Sequence, residues 1–315
     1  MPYSEPARPA PRRTRSTNLA AVAVVVAGAL AAAGWLVKGT PRSAAAPAEP
    51  ASTGIAWPEG GVSAAEVTGG RVLLGPGADR PVPIASVAKV MTAYVILHDH
   101  PLSADESGPQ IVVEPSEAAA YPAEAHAGES VVPVHAGEVL TERQALEALL
   151  LPSADNVAWI LARWDAGSLG VFVDRMNAVA LRLGMTSTHY TDPSGLAPST
   201  TSSAADQVRL AIAAMGQPAL AEIAGQSSAD VPVAGTVENL NRLLGEDGIV
   251  GLKTGSTSAA GGCVLLAARS NAGQRQSLIV VAVFGQPGSP DTILPAALRA
   301  GRQLVIALEP RGKRS

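Results

Sequence analysis

Pro83-Ile84-Ala85-Ser86-Val87-Ala88-Lys89-Val90-Met91-Thr92-Ala93 is a largely apolar run in which the Ser86 hydroxyl and the Lys89 ammonium stand three positions apart. Its apolar residues continue at helical spacing to about Leu97, which predicts a long helix with Ser86 at its start. On a helix, positions i and i+3 share a face one turn apart, so Lys89 can reach the Ser86 hydroxyl. A serine hydroxyl is a poor nucleophile until a neighbour takes its proton, and a desolvated lysine can lose enough basicity to do so. Ser86 at a helix start also turns its own backbone N–H toward a developing oxyanion. Taken alone, the pair is equally a capping serine followed by a solvated lysine.

Lysine usage argues against the solvated alternative. The chain has nineteen arginines, yet between its apolar N-terminal segment and its C-terminal tail the only lysines are Lys89 and Lys253. Arginine serves for surface charge but does not give up its proton, whereas a buried lysine can be tuned toward neutrality. Lys253 opens Lys253-Thr254-Gly255, with Gly251-Leu252 before it and Ser256-Thr257 after it, which reads as a strand edge. Its glycine is expected to let a ligand backbone approach closely. Between the two lysines lies Ser153-Ala154-Asp155 beside Asn156. In this order and at these separations, the three segments match the elements of a serine acyl-transfer site of the penicillin-recognising kind.

Composition sets the frame for such a site. With 315 residues and 47% hydrophobic content the chain can bury a large core, and with 3% aromatics that core rests on alanine, valine and leucine. Residues 1–38 carry Arg8, Arg12, Arg13, Arg15 and Lys38 against Glu5, a charge of +4, which leaves −8 of the net −4 for the remainder. Such a balance excludes nucleic acid as an expected partner of the folded part. Cys263 is the only cysteine, and Gly262-Cys263-Val264-Leu265-Leu266 suggests a buried strand thiol.

Leu19 to Val37 contains no charge and is long enough to cross a bilayer as a helix. The arginines before it hold residues 1–18 in the cytoplasm and send the chain after Lys38 outward, giving a single-pass membrane protein with an extracytoplasmic domain. A cleaved signal peptide is the alternative, since Ser43-Ala44-Ala45-Ala46 offers small residues to a peptidase. Both readings export the domain, and the length of the run favours the anchor.

Residues 38–54, rich in Ala, Pro and Ser, read as a linker, 55–309 as the folded domain, and 310–315 as a basic tail. A strand is expected over Arg71-Val72-Leu73-Leu74-Gly75. Residues 101–138 read as a polar surface loop, and neither Glu124, His126, Glu129 and His135 nor His98-Asp99-His100 shows a metal-ligand spacing. No metal or cofactor is expected. Helices are expected over Thr141–Leu151, Asp155–Trp164 and Leu169–Leu183. Cys263–Ala268 and Ser277–Phe284 read as a hairpin around Asn271-Ala272-Gly273-Gln274, and Asp291–Leu308 as a closing amphipathic helix. The expected class is α+β, an antiparallel sheet flanked by helices and preceded by one transmembrane helix.

From about Ile55 to Leu308 the chain resembles the D-alanyl-D-alanine carboxypeptidases of the low-molecular-mass penicillin-binding type. The resemblance is carried by the Pro83–Ala93 stretch, Leu151-Pro152-Ser153-Ala154-Asp155-Asn156, Thr191-Asp192-Pro193-Ser194-Gly195-Leu196 and Gly251-Leu252-Lys253-Thr254-Gly255. It implies a β-lactamase/transpeptidase-like fold, peptidoglycan stem peptides as substrate and β-lactams as inhibitors. It also implies that Ser86 forms the acyl-enzyme, Lys89 is its base and Ser153 relays a proton to the leaving amine. Lys253 with Thr254 would hold the terminal carboxylate, and the N–H groups of Ser86 and Ser256 would form the oxyanion hole. Family members often carry a further β-rich domain; with about fifty residues after Cys263, none is expected here.

One position departs from the family pattern, Ser-x-Asn, whose third place is taken by Asp155. An ionised carboxylate only accepts hydrogen bonds, so Asp155 would favour protonated Lys89 and repel an anionic substrate; alternatively Asn156 turns inward in its stead, or the family tolerates Asp here. Two other readings follow. A class A β-lactamase would need a deacylating glutamate, and Glu238-Asn239-Leu240-Asn241 resembles that loop but sits just before the Lys-Thr-Gly strand, where a helix-capping turn explains it better. A catalytically silent cell-wall peptide binder rests on Asp155 alone.

Overall fold

The computed structural model describes residues 54–103, 105–270 and 277–309. The expected cytoplasmic tail, transmembrane helix, most of the linker, the 271–274 turn and the basic tail therefore lie outside the described residues. Among the described residues no helix is long and apolar enough to cross a membrane.

The chain enters with β1 (Val62–Val67), β2 (Leu73–Leu74) and β3 (Val82–Pro83), then a 3-10 turn (Ala85–Ala88) that runs into α1 (Lys89–Asp99). Next come β4 (Gln110–Val112), α2 (Pro115–His126), β5 (Val139–Thr141), α3 (Glu142–Leu150), α4 (Asp155–Ala166) and α5 (Leu169–Arg182). After β6 (Thr201–Ser202), α6 (Ala204–Met215), α7 (Pro218–Gly225), β7 (Ser228–Val231) and β8 (Gly235–Glu238), the chain closes with β9 (Ile249–Thr257), β10 (Gly261–Arg269), β11 (Leu278–Gln286) and α8 (Ile293–Leu308).

The helices start where side chains can satisfy the free N–H groups of a first turn. Thr141 and Gln144 form a reciprocal capping box on α3, while Ser168 and Ser203 accept from Val171 and Asp206 at the starts of α5 and α6. The main sheet has the order β2-β1-β11-β10-β9, with every pairing antiparallel. One face, with Val264, Leu266, Val281 and Val283, packs on Leu304 and Val305 of α8. The other, with Leu265, Ala267, Val280 and Ala282, packs into the larger core with Met91, Leu146 and Ile160 of α1, α3 and α4. Burial on both faces explains the continuous apolar runs of β10 and β11, which lack the alternation of a half-buried strand. β9 is left at the sheet edge, facing the helices, and carries Lys253 through Ser256.

Residues 101–138 are not simply loop, since they contain β4 and α2. No residue of α2 is buried, so no hydrophobic period marked it; its signal was the Glu114–Glu117 capping box with Pro115 in the first turn. The segment 238–241 is not a helix cap. Asn239 Oδ1 accepts from Asn241 N and Asn241 Oδ1 from Leu243 N, a pair of Asx turns after β8, and Glu238 faces solvent paired with Arg242.

Candidate active site

Ser86 is half-buried in the 3-10 turn at the head of α1. The backbone there is bent: Ala85, a non-glycine residue, takes φ 47°. Lys89 follows one turn later and is wholly buried. Its Nζ lies 2.8 Å from Ser86 Oγ, 2.6 Å from Asp155 Oδ1 and 3.1 Å from the Ser194 carbonyl. An ammonium donates to all three. A neutral amine has two N–H groups for Asp155 and the carbonyl, and its lone pair then faces the Ser86 hydroxyl, which becomes the donor. One arrangement thus suits the lysine in both protonation states.

The second segment sits at the α3–α4 connection. Ser153 takes φ 69° and is 3% exposed, and its Oγ is buried with no hydrogen-bond partner. A buried hydroxyl without a partner is costly, and the cost is relieved when a ligand supplies one. Asp155 opens α4 and is held from two sides, by Lys89 on Oδ1 and by the Ser130 N–H on Oδ2 at 3.2 Å. Asn156 does not turn inward. Its amide is clamped to the backbone of Val132, accepting at 3.2 Å and donating at 2.8 Å.

The third segment closes the site. A Cβ built on Gly255 would stand 2.8 Å from Ser86 N and 3.1 Å from Val87 N. Gly255 therefore lets the backbone of the Ser86 turn pack closely against the strand. Lys253 shares its strand face with Gly255 and is 1% exposed, and its Nζ donates to the Thr254 carbonyl at 3.1 Å. Among the described residues it has no ion-pair partner. Thr254 and Ser256 alternate to the opposite face, Thr254 buried and Ser256 exposed.

Burial depresses the proton affinity of Lys89, opposed chiefly by Asp155. It depresses that of Lys253 further, with added repulsion from Lys89. Two lysines of lowered basicity and one carboxylate form a buried group in which a proton can move and one anion can be received. Cys263 is buried, as expected, and its thiol is pushed up to about 12. Among the described residues no group of three or more His, Cys, Asp or Glu is set to hold a metal ion. His100 instead stacks on Trp164, with ring centroids 4.2 Å apart, and bonds Asp165.

No role was assigned from sequence to Thr92 and the Asp192–Thr200 loop, which provide the backbone side of the site. Thr92 Oγ1 donates to the Pro193 carbonyl at 2.6 Å, one residue before the carbonyl that Lys89 meets. The signal was present as Asp-Pro-Ser-Gly, a turn in which an aspartate folds its own backbone.

The sequence pattern of the D-alanyl-D-alanine carboxypeptidase family, peptidase S11, matches residues 62–287. The D-alanyl-D-alanine carboxypeptidase DacB2 of Mycobacterium tuberculosis is 34% identical over 251 residues, 78% of this chain and 72% of that protein. The D-alanyl-D-alanine endopeptidase of Pseudomonas aeruginosa is 32% identical over 224 residues, 69% of each. Among solved structures, a D-alanyl-D-alanine carboxypeptidase from Mycobacterium tuberculosis H37Rv superposes with TM-score 0.67 at 32% identity, covering 84% of this chain and 98% of that one. The Streptomyces K15 DD-transpeptidase superposes with TM-score 0.69 over 80% of this chain and 98% of that one; at 22% identity it shows the shared fold, an antiparallel sheet with helices. With the family pattern spanning most of the folded residues, the chain belongs to the D-alanyl-D-alanine carboxypeptidases of peptidase family S11.

Proposed function

We infer that the protein is a serine-type D-Ala-D-Ala carboxypeptidase that trims peptidoglycan stem peptides through an acyl-enzyme on Ser86. The observation that carries this reading is the 2.8 Å approach of the buried Lys89 Nζ to Ser86 Oγ. Neutral Lys89 takes the Ser86 proton as Oγ attacks the carbonyl of the penultimate D-alanine, and the N–H groups of Ser86 and Ser256 receive the oxyanion. Ser153 passes a proton to the leaving D-alanine amine as the C–N bond breaks. Water then hydrolyses the ester and Ser86 recovers its proton. Lys253 and Thr254, on opposite faces of the edge strand, flank the substrate's terminal carboxylate. Asp155 holds Lys89 through Oδ1 and is itself held through Oδ2 by the Ser130 N–H.

β-Lactams, which present a carboxylate beside a strained amide, acylate the same serine. The uncharged Leu19–Val37 run supports membrane anchoring with the domain outside the cytoplasm. Release of D-alanine from a stem pentapeptide by the wild-type protein, lost in Ser86→Ala, tests the reading. Equal release by both would refute it. The silent-binder alternative draws support from the 2.6 Å Lys89–Asp155 ion pair and predicts no release by either protein.

A further inference from the structure

We propose that Asp192 is a positioning residue for acylation: it folds residues 192–200 around its carboxylate so that the Ser194 carbonyl is held on Lys89 as the base's third hydrogen-bond partner. The proposal rests on the assignment of Lys89 as base. Asp192 is 4% exposed, and among the described residues it has no ion-pair partner. Its Oδ2 accepts from Ser194 Oγ at 2.7 Å, Leu196 N at 3.0 Å and Ala197 N at 3.4 Å, while Oδ1 accepts from Thr200 Oγ1. Those donors come from within the loop, so the carboxylate is its folding centre. The loop in turn is fixed to the catalytic helix at three places. The Pro193 carbonyl accepts from Thr92, the Ser194 carbonyl from Lys89, and Gly195, at φ 80°, lies so close to the Ala85 carbonyl that a Cβ would fall 1.9 Å from its oxygen.

A buried amine with a lone pair aimed at a hydroxyl needs its two N–H groups directed elsewhere. Asp155 takes one, and the Ser194 carbonyl takes the other. The charged groups facing Lys89 are Asp155 from α4, Asp192 from this loop, Glu129 from the segment after α2 and Lys253 from β9. Both the negative charge of Asp192 and the carbonyl it places favour the ammonium, so loss of either lowers the proton affinity of Lys89.

The test is the pH profile of acylation by a fluorescent penicillin in wild type, Asp192→Asn and Thr200→Val. The amide turns a donor toward a centre made only of donors, and the valine removes the donor to Oδ1 at nearly constant volume. Both are expected to move the acidic limb of the profile to lower pH and to lower the plateau about tenfold, because the lysine is both less basic and less well aimed. Thr200→Ser, which keeps the hydroxyl, is expected to lie nearer wild type than Thr200→Val. Should Asp192→Asn fail to fold, the Thr200 pair decides. If the melting temperature falls while the limb coincides with wild type, or moves to higher pH, Asp192 supports the fold alone and the proposal is overturned. A wild type that penicillin does not acylate would instead remove the functional reading, and this proposal with it.

Discussion

Asp155 and Glu142 are two buried carboxylates with opposite surroundings, one paired with an ammonium and the other without a hydrogen-bond partner. Asp155 is charge-paired, and its negative charge raises the proton affinity of Lys89 against the lowering by burial. Asp155→Asn removes that opposition and enlarges the neutral-lysine fraction at neutral pH, about tenfold for each pKa unit. Stopped-flow acylation should therefore be faster in the amide variant; an equal or slower rate would mean that the carboxylate's hold on lysine geometry outweighs its effect on proton affinity. Glu142 opens α3 fully buried, with neither carboxylate oxygen hydrogen-bonded, beneath Gly108. Burial, reinforced by Asp165, raises it from 4.5 to about 7. The folded protein then keeps a proton that the unfolded chain gives up near 4.5, so this contribution to stability is full below 4.5 and is lost as pH rises toward about 7. Glu142→Gln should unfold at higher urea than wild type at pH 8 and show no such advantage at pH 4, and a constant difference across that range would contradict the assignment.

At the scale of elements, the site is a junction of a helix start, a helix–helix corner, a strand edge and a loop. Gly255→Ala tests the junction directly, since the new Cβ must push β9 from the Ser86 turn. Acylation is expected to fall by about tenfold or more, because small displacements of reacting groups are expensive, while the protein remains folded. Unchanged acylation would mean that the turn and strand shift together. The same elements show what could be read from sequence. The Ser86–Lys89 contact was legible because helical periodicity fixes the spacing of a local motif. The helices α3, α4 and α5 were legible from Thr141, Pro152 and Gly184, which mark their limits. The alanine-rich α2 was not, because it buries nothing and so leaves no period. Nor was the choice between Asp155 and Asn156, which depends on the 130–132 backbone passing beside α4, a long-range contact with no local signature. The packing of Gly255 against the Ser86 turn was hidden for the same reason, since the two lie 169 positions apart in sequence.

At the scale of the whole molecule, the uncharged run before the domain predicts that the protein fractionates with membranes; a mature N-terminus near Ala45 or Ala46 would show instead that the domain is released. Relatives include both carboxypeptidases and endopeptidases. The proposed activation of Ser86 by buried Lys89 makes Ser86 the residue that a β-lactam acylates. It is tested most directly by mass spectrometry of the protein after brief exposure to benzylpenicillin, with the adduct mapped by proteolysis. One penicilloyl group is expected in the wild type, on the peptide containing Ser86, and none in Ser86→Ala. An unmodified wild type, or an adduct on any other residue, would contradict it.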